Sequence, residues 1–149
     1  MSFRLEPRTD ASMGLKLAVS LGAGVVAGGA NLFNLLDLRP GRALKAGVLA
    51  GAPLMASASG GLAAGPVGAC LGLLPDDLRE QIMLGDSGAN TLGALLGVAF
   101  NTRFDVPGRA AALATIGALT AASERISFTK VIAQTPGLRE IDELGRRRD

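Results

Sequence analysis

The chain has 149 residues, 48% of them hydrophobic, with 21 glycines but only five phenylalanines and no tryptophan or tyrosine, so a soluble core built from large side chains would be thin. A formal net charge of +2, with no aromatic residues among the cations, excludes an ordinary nucleic-acid surface. One cysteine excludes a disulfide framework, and the lack of histidine removes the usual neutral-pH proton carrier and the commonest zinc ligand.

Residues 1–16 are polar and of mixed charge, and Glu6 and Asp10 spoil them as the basic leader of a signal peptide. Leu17 to Leu36 follows without a charge over 20 positions, the length of helix that crosses a bilayer core. GAGVVAGG within it imitates a dinucleotide loop, but it lacks a strand before it and an acid at the required distance. Ala46 to Pro75 is uncharged for 30 residues and reads as a helical hairpin turning around Ser57–Gly61, with one long kinked span as the alternative. Asp76 to Asp86 is polar, and the adjacent acids Asp76 and Asp77 read as a solvated loop pair. Ser87 to Thr102 and Ala110 to Ser123 are uncharged runs suited to a bundle of small-residue helices, and the tail from Glu124 is charged.

These runs predict a single all-α domain, residues 1–149: a polytopic membrane helix bundle with spans near 17–36, 44–58, 60–75, 88–102 and 109–123. The loops then sort onto two sides carrying ten and five Lys and Arg residues. The positive-inside rule places 37–45, 76–87 and the tail 124–149 in the cytoplasm, with the N-terminus outside.

Two groups of residues suggest chemistry. Asn31, Asn34 and Asp37 form a stripe at the cytoplasmic end of the first span, followed by Arg39, Arg42 and Lys45. Oxygen ligands beside cations suit a hard metal and a phosphate-bearing substrate, whereas capping and headgroup anchoring account for each residue singly. Asp86, between Gly85 and Gly88, opens another uncharged run, where it suits either a helix N-cap or the same metal site. Brought to one membrane face, Asp37, Asn34 and Asp86 would offer Mg²⁺ the oxygen ligands it prefers.

Asn31-x-x-Asn34-x-x-Asp37 followed by Gly85-Asp86-x-Gly88 resembles the polyprenyl-phosphate N-acetylhexosamine-1-phosphate transferase family, whose members act in cell-wall glycan synthesis such as that of peptidoglycan. The resemblance runs from about residue 15 to 145. It is closest to a divergent branch, through NLLDLRPGRALK, LGDSGANTLG and the tail SERISFTKVIAQTPGLREIDELGRR. It implies transfer of a sugar-1-phosphate from a UDP-sugar to polyprenyl phosphate, with release of UMP, at cytoplasmic loops of a multi-pass cell-membrane enzyme. Asp37 and Asp86 would then be catalytic, with Asn34 and Asp86 holding Mg²⁺. Asn31, Arg39, Arg42 and Lys45 would bind substrate, and Arg125, Lys130 and Arg139 of the tail would contact phosphate. The chain departs from the family in three respects. Leu-Arg-Pro-Gly-Arg follows Asp37 where D-G-x-x-G-L is usual, there is no histidine-bearing loop, and no paired aspartates precede the asparagine motif. It therefore looks like a C-terminal half, to be completed by a separate N-terminal half or a second copy. The alternative is a non-catalytic scaffold that binds lipid phosphate, nucleotide or a partner protein.

Overall fold

A computed structural model describes residues 9–57 and 60–146, with side chains from Ser12 onward. The polar stretch 1–8, the middle of the expected turn at 58–59, and Arg147–Asp149 lie outside the described residues. Seven helices account for the secondary structure, with no strand among the described residues: α1 (Thr9–Leu36), α2 (Arg42–Met55), α3 (Gly61–Leu78), α4 (Gly85–Arg103), α5 (Val106–Ser123), α6 (Phe128–Gln134) and α7 (Leu138–Glu143). The dinucleotide-like glycines lie within α1, so no strand-to-helix turn exists there.

The all-helical class is as expected; the five-span bundle appears only in its coarser form. Among the described residues one helix is long and apolar enough to cross a membrane, Ser12–Leu36, with a mean hydropathy of 1.5 over its best window. α2 has 14 residues and α3 to α5 have 18 or 19, and their glycines and polar ends dilute the hydropathy. Two boundaries shift for physical reasons. α1 starts eight residues early because 9–16 contains no proline to stop it. α3 runs through Pro75 to Leu78, carrying Asp76 and Asp77 onto a helix instead of a loop.

Packing depends on close backbone approach more than on bulk. A Cβ at Gly93 of α4 would overlap the Gly29 carbonyl of α1, and one at Gly97 would lie 2.9 Å from Val26 Cα. Small residues thus bring α1 and α4 together at backbone distance, as they do between helices in lipid. Gly47 of α2 likewise admits Cys70 and Leu92, giving the main core of Phe33, Ala43, Leu44, Cys70, Leu92 and Leu96. Cys70, 1% exposed, is a packing residue. Meanwhile Leu15, Val19, Leu49, Leu62 and Leu71 stand 48–67% exposed on the outside of the bundle.

The helices run up and down, so alternate loops share an end. At one end the Arg109 guanidinium donates to the carbonyls of Ala18, Asn101 and Phe104, tying the start of α5 to α1 and α4. The segments 37–41 and 79–84 and the tail gather at the other end, where the candidate site lies.

Candidate functional site

Asp37 directly follows the last residue of α1, Leu36, and its N–H still bonds the carbonyls of Phe33 and Asn34. Its carboxylate Oδ2 accepts the Gly85 N–H at 2.9 Å, across 48 residues of sequence. Gly85 has φ +67°, a left-handed conformation that glycine adopts without a Cβ penalty. The first turn of a helix has unpaired N–H donors and a partial positive charge, and Asp37 satisfies one of those donors from another helix. α4 therefore has no cap of its own: Leu84 occupies the N-cap position without a side-chain bond. The capping role open to Asp86 is thus excluded, and Asp86 lies exposed within the first turn.

A second carboxylate supports the same junction. Asp77, 4% exposed, accepts the Gly41 N–H at 2.6 Å and so holds the end of the 37–41 segment against α3. Gly41 is also left-handed, at φ +74°, and a Cβ there would strike Leu78. This corrects the reading of Asp76 and Asp77 as a solvated pair: only Asp76 fits it, half exposed and 3.9 Å from Arg79. A burial of this kind has no marker in the sequence beyond the chain's return through Pro75 beside the first motif. Replacing Asp77 with alanine is expected to orphan the Gly41 donor and cost about 1–2 kcal/mol, read as a lower melting temperature of the purified chain.

Between 37–40 on one side and Asp77 and 80–83 on the other lies a cavity of about 500 Å³. Asp37, Asp77 and Glu80 face it together with Arg39. Burial raises the Asp37 carboxyl, the Gly85 N–H lowers it, and the charges of Asp77 and Asp86 raise it again, leaving it above the ordinary carboxylate value. The two motifs predicted to meet are therefore adjacent, and their negative charges act on one another.

The remaining expected site residues are more dispersed. Asn34 is half-buried and Asn31 exposed on α1, and neither asparagine lines the cavity. Arg42 is 5% exposed and donates to both oxygens of Asp142, Nε at 2.7 Å and Nη2 at 3.1 Å. Lys45 Nζ donates to the Asp142 carbonyl at 2.8 Å. Arg125, Lys130 and Arg139 are exposed on the tail. Asp142 went unrecognised in the sequence, since nothing local distinguishes it from the other tail acids.

The residues fit a hard divalent cation in chemistry, though not as a closed cage. Among the described residues no group of three or more His, Cys, Asp or Glu is arranged to hold a metal ion. Mg²⁺ commonly takes only one or two carboxylates and completes its shell with water and phosphate oxygens; such an ion would relieve the repulsion from Asp77 and Asp86 that adds to the larger effect of burial on Asp37. No family model, curated protein or solved structure matches the chain.

Proposed function

We propose that the chain carries the site-bearing C-terminal half of a membrane sugar-phosphate transferase and works together with the N-terminal half of such an enzyme. A polyprenyl phosphate oxygen bonds the sugar-bearing phosphorus of a UDP-sugar, the diphosphate bridge breaks, and UMP leaves. The observation that carries this reading is the hydrogen bond from Gly85 to Asp37, which joins the two motifs at one end of the bundle. Phosphoryl transfer depends more on alignment and charge neutralisation than on a strong base, so a site without histidine is adequate.

Asp37, Asp86 and Asn34 would hold Mg²⁺, which when bound would neutralise diphosphate charge. The chain's own groups do the rest. Asp77 fixes the loop carrying Asp37, and Arg39 offers the cavity a positive charge for phosphate. In this reading α1 to α5 all cross the membrane, with the Asp37 end and the tail in the cytoplasm. Exposed leucines on α1, α2 and α3 and the glycine-mediated packing support that placement.

The test is transfer of radiolabelled sugar phosphate from UDP-N-acetylglucosamine to polyprenyl phosphate, in membranes containing this chain alone and with a candidate N-terminal half. Labelled lipid diphosphate that requires both Mg²⁺ and this chain is expected. No product with either preparation would reject the reading. A non-catalytic scaffold is the second reading, favoured by the engagement of Arg42 and Lys45 with Asp142. It predicts nucleotide or lipid-phosphate binding without turnover.

A further inference from the structure

The last described segment is held to the bundle in an unusual way. α6 buries none of its residues and α7 buries only Asp142. Leu138, Ile141 and Leu144 of this segment are 48%, 41% and 71% exposed. Little apolar area is therefore removed from water to keep it in place. Its attachment is polar instead. Both Asp142 oxygens are gripped by Arg42, Arg146 Nη1 approaches Oδ2 at 3.4 Å, and Lys45 holds the main-chain carbonyl. The remaining arm of Arg42, Nη1, donates to Thr129 Oγ1 on α6 at 3.2 Å.

Three cations thus surround one carboxylate, in the forked geometry that a guanidinium also offers to phosphate. A mainly apolar groove of about 320 Å³ runs beside them, lined by Leu36, Leu49 and Leu119 of the bundle and by Phe128 and Ile132 of α6. We propose that α6 and α7 form a charge-held strap in which Asp142 occupies the Arg42 and Lys45 donors in place of a phosphate group, so that a phosphate-bearing ligand reaches them only by displacing α7. The inference rests on the transferase reading in one respect, the assignment of Arg42 and Lys45 to phosphate.

Acid is not the release signal. Burial alone would raise the Asp142 carboxyl, but the Arg42 hydrogen bond and the charges of Arg42, Arg146 and Lys45 outweigh it and hold it below its ordinary value. A depressed folded pKa gives docking strength that is complete above the ordinary carboxylate value of about 4 and is lost only as pH falls through the lower one. The strap is therefore shut at neutral pH, and a competing anion is what opens it.

Spin labels at Leu49 on α2 and Glu143 on α7, both exposed, would report the separation in the full chain in detergent, with inorganic pyrophosphate as the probe. One short distance is expected without the probe. Pyrophosphate should convert it to a longer, broader distribution, whereas sodium chloride at the same ionic strength should leave it short. Asp142→Asn should show the open distribution without pyrophosphate, and Glu140→Gln should remain shut. Because the titration uses the wild-type side chains at Arg42, Lys45 and Asp142, a poorly folding variant does not decide the outcome. A separation unmoved by saturating pyrophosphate overturns the strap. Strap opening in a chain that transfers no sugar phosphate would count against the transferase reading alone, and a fixed strap on an active enzyme would count against the strap alone.

Discussion

Asp37→Asn is expected to lower sugar-phosphate transfer by about two to three orders of magnitude, the loss typical when one charge-stabilising group is removed from an active site. The substitution keeps size and shape, and the amide oxygen can still accept the Gly85 N–H. α4 should therefore keep its start and the bundle its fold. What disappears is the negative charge beside Asp77 and Asp86. Transfer should fall while protein level and melting temperature stay close to wild type. Undiminished transfer would show that Asp37 only caps α4, and a joint loss of fold and activity would show that its charge is structural.

The second large effect is expected at the α1–α4 seam. Gly93→Leu places a branched side chain where the Gly29 carbonyl already lies, and the obstacle is backbone rather than a flexible side-chain tip. Relief requires the two helices to separate along their length, which would open the packing around Leu92 and Leu96 as well. Overpacking usually costs about 1–3 kcal/mol, and this position belongs at or beyond the upper end. Thermal unfolding in detergent reads the loss. Gly117→Leu is the control, since a Cβ on that glycine of α5 has nothing within 4 Å, and it should unfold close to wild type.

How much of this the sequence shows varies with the range of the interaction. The first five helices follow from uncharged runs broken by charge, because the cost of exposing backbone or burying charge acts locally. Their ends are less legible: Pro75 reads as a stop, yet α3 continues three residues beyond it. The pairing of Asp37 with Gly85 was open to inference because both belong to recognisable motifs at the same end of an up-and-down bundle. Asp77 and Asp142 were not. Each becomes special only through a partner 36 or 100 residues away, Gly41 or Arg42, and their neighbours Asp76 and Glu143 look equivalent in the sequence. The tail helices are too short, at seven and six residues, for their apolar spacing (Phe128, Val131 and Ile132 in α6) to mark a buried element, and charge contributes much of what holds them.

The most direct measurement follows the Gly85 amide by ¹⁵N-resolved NMR in micelles as pH, Mg²⁺ and UDP-N-acetylglucosamine are varied. The account predicts a resonance that titrates with the Asp37 carboxyl above the ordinary carboxylate range, loses that titration in Asp37→Asn, and shifts when Mg²⁺ and nucleotide sugar are added together. A Gly85 signal indifferent to all three would mean that the turns at 37 and 85 do not share a ligand-facing junction, and the proposed site would have to be abandoned.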